Sequence, residues 1–255
     1  MERSVSKAPR IALFDVENAP SLGYFWGRTW ETNIVNVAVP WFMLCFSYKW
    51  LGQSRVYTHS LREYPHYRKN LEDDTRLIKD LHRLFDEADV LIAHNGDRFD
   101  IRKSNARFIK AGLTPPSDYK TIDTLKAARR FFMFESNKLN DLGQFLRVGK
   151  KIPTTGFDLW KRVMAGNERA WVEMERYNRR DVVLLERVYK KLRPYISNHP
   201  NLDAYTEAGN CPSCMSSHIQ RHGIRVCRNR KYQRFQCMNC ATLFQGASIP
   251  REKRP

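Results

Sequence analysis

Two carboxylates stand at i and i+2 in Phe14-Asp15-Val16-Glu17. On a β-strand that spacing points both to one face. Paired carboxylates repel unless a cation lies between them, and oxygen ligands suit Mg²⁺ or Mn²⁺. Solvated acids at a strand end fit so short a motif equally well. A second segment, Ala93-His94-Asn95-Gly96-Asp97-Arg98-Phe99-Asp100, follows an apolar run. Here Asp100 can cap the next helix and Asp97 can shape a turn beside Gly96. A third, Tyr177-Asn178-Arg179-Arg180-Asp181, sets a phenol and a carboxylate at i, i+4, one turn apart on a helix face. Val182, Leu184, Leu185 and Val188 surround Asp181 with apolar groups. A buried acid needs a partner, and a metal ion would serve.

A different chemistry is spelled near the end of the chain. Cys211-Pro-Ser-Cys214 and Cys237-Met-Asn-Cys240 are two C-x-x-C pairs separated by 22 residues. Each short loop presents two thiolates, and together they suit one tetrahedral Zn²⁺. The gap slightly exceeds the usual window, so the intervening hairpin is long. Cys227, His218 and His222 lie inside it, but four thiolates already complete the set. Cys45 sits in an apolar run and reads as a core residue.

The elements that must position these groups follow from periodicity. Arg10–Val16 reads as a buried strand, Val35–Trp50 as a long aromatic strand interrupted at Pro40, and Arg55–His59 as a third strand. Glu72–Ala88 repeats apolar residues at helical spacing. Val90–Ala93 and Lys120–Asp123 read as strands, with a helix at Ile101–Ala111 between them. Beyond Thr124 the pattern is helical and ends in a long helix over Arg169–Leu192. This alternation predicts an α/β fold with a mixed sheet and helices on its faces. Between Asn18 and Ile34 lies an aromatic stretch with Tyr24, Phe25, Trp26, Trp30, Gly23 and Gly27. It reads as a loop that either stacks on unpaired bases or folds back on itself.

The 255 residues include 44 Lys or Arg against 27 Asp or Glu, a formal net charge of +17. With 42% hydrophobic residues a packed core can form, which excludes wholesale disorder. The most apolar stretch, Ile34–Tyr48, is broken by Asn36 and Pro40 and is too short to span a bilayer as a helix. No secretory signal is read at the N-terminus, so a cytoplasmic protein is expected. The charge points to a polyanionic partner, since phosphate neutralisation is the main sequence-independent source of nucleic-acid affinity. From Thr206 to Pro255 nine Lys or Arg face two acids, the densest positive charge in the chain. A boundary is expected near Ser197–Asn210, giving one domain over 1–200 and a small module over 206–255.

Taken in order, D-x-E, N-x-x-x-F-D and Y-x-x-x-D resemble the three motifs of the DEDD superfamily of 3′→5′ exonucleases, whose fold is ribonuclease-H-like. Tyr177 places the resemblance in the DEDDy branch; the histidine branch would carry His where Arg176 stands. The three-residue gap between Asn95 and Phe99 is most similar to proofreading domains of B-family DNA polymerases. Ile122-Asp123-Thr124-Leu125 and Ser136-x-Lys138-Leu139-x-x-Leu142 look alike too. The resemblance covers roughly Arg10 to Tyr195. No polymerase domain follows, so a free-standing nuclease or a subunit is expected. It implies a five-stranded mixed sheet flanked by helices and two-metal phosphodiester hydrolysis. Asp15, Glu17 and Asp181 would hold one Mg²⁺ or Mn²⁺, and Asp15 with Asp100 the second. Tyr177 would orient the attacking water, and Asn95 and Phe99 would contact the terminal nucleotide.

The cysteine module, with Gly223, Tyr232, Phe235 and Phe244, resembles the zinc ribbons at the N-termini of insertion-sequence transposases, which bind DNA. By that resemblance Arg221, Arg225, Arg228, Arg230, Lys231 and Arg234 would contact phosphates. Tyr232 and Phe235 would fill the small core or stack on bases. A ribbon used only as a structural cap or for protein contact is the alternative. The expectation is a metal-dependent 3′→5′ exonuclease, with DNA favoured over RNA, carrying one structural Zn²⁺ and working in a bacterial or phage-infected cell, free or nucleoid-associated, with a replication or repair partner. The alternatives are an inactive nuclease fold that binds DNA and a structure-specific endonuclease.

Overall fold

The computed structural model describes residues 8–26, 34–206 and 208–250. The first strand, β1 (Ile11–Asn18), lies at the centre of a five-stranded sheet. Two short strands, β2 (Leu22–Tyr24) and β3 (Asn36–Val39), precede β4 (Met43–Trp50) and β5 (Tyr57–Ser60). Then α1 (Thr75–Glu87), β6 (Val90–Ala93), α2 (Asp100–Lys110) and β7 (Lys120–Asp123) alternate. Four helices follow: α3 (Thr124–Phe131), α4 (Leu139–Phe145), α5 (Phe157–Met164) and α6 (Glu168–Leu192). The sheet order is β5-β4-β1-β6-β7. β4 is antiparallel to β1, and β6 runs parallel to it, so the sheet is mixed as expected.

β1 is buried on both faces, and its period of two sorts its side chains into two cores. Ala12, Phe14 and Val16 face a core shared with Leu77, Leu81 and Phe85 of α1. Ile11 and Leu13 face a second core with Val182, Leu185 and Val188 of α6. Asp15 and Glu17 continue this second face, which carries them toward α6. Full burial of each such aliphatic side chain stabilises by about 1.5–3 kcal/mol. The apolar stripe of α6 therefore clamps the helix across the sheet and fixes where Asp181 arrives.

The apolar run over Val35–Trp50 divides differently from the sequence expectation. Pro40 lacks an N–H and no strand forms at Trp41 or Phe42. Only β4 enters the main sheet; β3 turns away and pairs with β2 in a separate two-stranded hairpin. The stretch expected to be a loop is thus partly a hairpin, while Gly27 and Trp30 lie outside the described residues. Leu22, Tyr24, Phe25, Ile34 and Val37 are exposed on it, and Trp26 is 90% exposed. A Cβ on Gly23 would stand 2.9 Å from Ile34 Cγ2 and 3.0 Å from the Asn36 carbonyl oxygen, so the hairpin closes only over glycine.

A third sheet of β8 (Ile219–Cys227), β9 (Arg230–Cys237) and β10 (Leu243–Ile249) follows, all antiparallel. Its own core is small: Phe235 stacks on Phe244 at 5.6 Å, and the four cysteines lie beneath. The segment before it is tied to the end of α6, where the Tyr189 hydroxyl and His199 Nε2 are 2.8 Å apart, and to the first cysteine knuckle, where Leu202 N donates to the Pro212 carbonyl at 2.7 Å. No helix among the described residues is long and apolar enough to cross a membrane.

One contact links packing directly to chemistry. A Cβ on Gly143 of α4 would stand 2.7 Å from both the Gly149 carbonyl oxygen and Leu184 Cδ1. Gly143→Ala is expected to destabilise the fold by about 1–3 kcal/mol, read as a lower urea midpoint, because backbone and α6 would have to separate.

Candidate active site and cysteine centre

Asp15 and Glu17 project from the end of β1 and meet Asp181 from α6. One carboxylate oxygen of each lies within 4.8 Å of the others, and Asp181 is buried. Asp100 is outside that mutual group. It is not the cap of α2 but its first helical residue, and its Oδ1 accepts from Val16 N at 3.3 Å, between the two β1 acids. Its charge still reaches Asp15. Asp97 is turned away and pairs with Lys126 at 2.7 Å.

Two groups that the sequence reading did not single out complete the centre. Lys151 Nζ donates to Asp181 Oδ2 at 2.5 Å and to the Tyr177 hydroxyl at 2.9 Å. Asn178 Nδ2 donates to Asp15 Oδ2 at 2.8 Å and to the Asp15 carbonyl at 3.2 Å. Lys151 lies in a coil between α4 and α5 with no periodic signal. Asn178 lies inside the tyrosine motif, and its buried i−3 position from Asp181 places it on the same helix face.

Burial and crowding set the protonation of the site. Burial first, then the charges of Glu17, Asp100 and Asp181, raise the Asp15 pKa well above the carboxylate range. Burial, with Asp181 next, pushes Glu17 up to about 8. Burial raises Asp100 to about 7 against the Val16 N–H that favours its anion. Asp181 is raised by burial despite the opposing pull of Lys151. Burial disfavours the Lys151 ammonium, yet Asp181 and Tyr177 together hold its pKa above the ordinary lysine value. Burial and the Asp181 charge keep the Tyr177 phenol protonated.

This donor set fits a hard divalent cation. Three carboxylates converge, their proton affinities show that negative charge is under-compensated, and Asp181 Oδ1 is buried without a hydrogen-bond partner. Asn95 shares a cleft with Lys151, and Phe99 directly precedes Asp100. Asn95 adopts φ +67°, held by Asp123 Oδ1, which accepts its N–H at 2.9 Å. Phe99 is 45% exposed. Beside them a cavity of about 560 Å³ is lined by Asn18, Trp41, Phe99, Lys103, Phe157 and Trp160. The Trp160 ring meets Tyr177 edge-on at 6.3 Å.

The cysteine centre is equally compact. Cys211, Cys214, Cys237 and Cys240 lie with their sulfurs within 4.8 Å of one another. Cys211 and Cys240 Sγ are 3.7 Å apart, Cys214 and Cys237 Sγ 3.6 Å. Zn–S bonds of ~2.3 Å give a tetrahedron with edges of ~3.8 Å, so the pocket matches that ion. His218, His222 and Cys227 are not part of the group. Arg221, Arg225, Arg228, Arg230 and Lys231 are exposed along β8 and β9, and Arg234 is half-buried.

Residues 48–193 match the RNase_H_2 family of the RNase_H superfamily. This chain belongs to the RNase H superfamily. A stretch of 69 residues, 27% of the chain, is 39% identical to a DNA polymerase III PolC-type of Ureaplasma parvum serovar 3 and covers 5% of that protein. The family B DNA polymerase of the hyperthermophilic archaeon Pyrobaculum calidifontis shares the fold over 91% of this chain and 32% of its own. That match has a TM-score of 0.50 and 12% identity. The chain therefore spans a small part of each, and the second likeness is one of fold. The RNase H-like chain carries its acids where β1 ends, and its cysteine cluster is consistent with a zinc ribbon.

Two outcomes follow from the charges. Glu17 has a folded-state pKa of about 8 against 4.5, so the stability its neutral form contributes is present below pH ~4.5 and is lost as the pH rises through ~8. Protein freed of Mg²⁺ and Mn²⁺ is expected to show a Tm that falls across that window. Added Mg²⁺ should flatten the fall, and so should Glu17→Gln without added ion. At the cysteines, metal analysis should find one zinc per chain, and Co²⁺ substitution should give thiolate charge-transfer absorption; both should vanish in Cys237→Ser.

Proposed function

We propose that this protein is a metal-dependent 3′→5′ exonuclease of the DEDDy type acting on nucleic acid, with single-stranded DNA its favoured substrate. The observation that carries this reading is the convergence of Asp15, Glu17 and Asp181 beside the Tyr177 hydroxyl. Asp15, Glu17 and Asp181 would hold one Mg²⁺ or Mn²⁺, and Asp15 with Asp100 a second. Bound divalent ions supply an acidified water and charge neutralisation at the departing 3′ oxygen.

The protein groups then have separable tasks. Tyr177 stays a phenol at neutral pH, so its hydroxyl orients a water rather than acting as an anionic base. Lys151 stays an ammonium, so it holds Tyr177 and Asp181 in register and adds positive charge where a phosphate must approach acids. Asn178 fixes the Asp15 carboxylate against rotation. Asn95 and Phe99 would hold the terminal nucleotide.

The division proposed is a nuclease domain over 1–200 and a Cys₄ zinc ribbon over 206–255. The ribbon, through Arg221, Arg225, Arg228, Arg230, Lys231 and Arg234, would grip phosphates. Its four reduced thiolates suit a cytoplasmic setting, and DNA replication or repair is the process in which partners are expected.

The test is digestion of 3′- and 5′-labelled single strands with Mg²⁺ or Mn²⁺. Release of single nucleotides from free 3′ ends, none from blocked ones, and no release by Asp15→Ala support the reading. Cutting that ignores a 3′ block would instead identify an endonuclease. Tyr177→Phe should lower the rate by roughly 10²-fold with unchanged metal affinity.

A further inference from the structure

At the opposite pole from the acids, a cleft of about 970 Å³ separates the nuclease sheet from the cysteine module. One wall is the end of α6 and the residues after it, with Arg187, Lys190, Lys191 and Arg193. The other is the second cysteine knuckle, with Met238 and Asn239. No Asp or Glu is among the described residues that line it. Arg187, Lys190 and Lys191 are exposed. Arg193 is half-buried, held over the Tyr189 ring at 5.7 Å, and its Nε has no hydrogen-bond partner among the described residues. A helix C-terminus carries only about half a negative charge, so four cations exceed what the helix end itself calls for. Glu186 bonds Lys190 at 2.8 Å but also faces Lys49 at 2.5 Å, so it does not neutralise the wall.

The same two elements run from this cleft to the acids. Ile11 lines the cleft, and β1 reaches Glu17 six residues on, ~20 Å away at ~3.3 Å per residue. Along α6, Asp181 and Arg193 are ~18 Å apart at 1.5 Å per residue. A rigid strand and a rigid helix thus hold a cationic cleft and an anionic centre at a set separation. The arginines of β8 and β9 belong to the module that forms the far wall.

We propose that this cleft binds the phosphate backbone of a polynucleotide as a second anchorage, ~20 Å from the acids. The inference rests on the nuclease reading for its other end only. A stacked strand, with phosphates ~3.4 Å apart along the axis, needs ~6 nucleotides to reach both places, and a fully extended one roughly half that number. Short oligonucleotides therefore engage the acidic centre alone, and long ones engage both.

The test uses the full chain with Asp15→Asn, which keeps the probe uncut, and fluorescein-labelled oligothymidylates of 2 and 20 nucleotides. Lys190→Gln with Lys191→Gln removes two cleft charges. The 20-mer should bind at least fivefold more weakly, with a log–log salt slope shallower by about 1.4, from about 0.7 per phosphate contact. The 2-mer should bind within twofold of the parent. Lys190→Arg with Lys191→Arg should restore 20-mer affinity, and unchanged zinc content and Tm will show that the fold is intact. Equal loss on both lengths, or none on either, overturns the proposal, as does failure of the Arg pair to rescue; retained 20-mer affinity would leave the cleft to an acidic protein surface instead. Length-dependent loss in a protein that cuts nothing would sink the nuclease reading and leave the cleft standing. Cutting without that loss would do the reverse.

Discussion

Like-charge repulsion in a poorly hydrated place governs the RNase H-like half of this molecule. The carboxylate oxygens of Asp15, Glu17 and Asp181 lie within 4.8 Å of one another, and two ionised groups at that outer distance would repel by about 3 kcal/mol at an effective dielectric of 20. Three such pairs approach the whole ~5–15 kcal/mol that holds a domain folded. The chain responds in two ways. It lets the carboxyls keep protons to unusually high pH, and it inserts the Lys151 ammonium beside the most buried acid. Neither fully compensates, and the unmet Asp181 Oδ1 is the residue of that imbalance. Such an imbalance is what a hard cation would relieve.

The frame must be stiff enough to hold such a cluster together. β1 is braced on one side by an antiparallel partner and on the other by a parallel one. α6 is clamped by an apolar stripe that would have to leave the core before Asp181 could move away. Asn178 adds a direct strap from the helix to the Asp15 backbone and side chain. The close seat of α4 on α6 at Gly143 fixes the segment from which Lys151 reaches in.

Much of this was readable from residue order. The i, i+2 acids share a face because strand geometry leaves no alternative, and Asp181 stood out as a charge within an apolar helical stripe. The cysteine pairs were readable because short knuckles constrain geometry locally. Lys151 was not, because nothing local ties a coil lysine to a helix thirty residues later. The hairpin of β2 and β3 was missed for the opposite reason. Ile34–Val39 is apolar enough to read as core, and only the three-dimensional exit at Pro40 leaves it in solvent. Asp100 occupies an intermediate case: its nearness to β1 is visible only once the sheet brings Val16 beside the start of α2.

That projecting hairpin has a colloidal consequence. Among the described residues its two strands pair with each other and with no other strand, so they are edges, and edges that bear Leu22, Tyr24 and Val37, flanked by Trp26 and Ile34, are templates for self-association. What keeps copies apart is mutual repulsion between molecules of net charge +17. Salt shortens the reach of that repulsion, from about 30 Å at 0.01 M to about 3 Å at 1 M, but leaves apolar attraction in place. Raising the ionic strength therefore trades long-range repulsion for contact between projecting hairpins, and the solubility of the chain is set by a finger that is no part of its core.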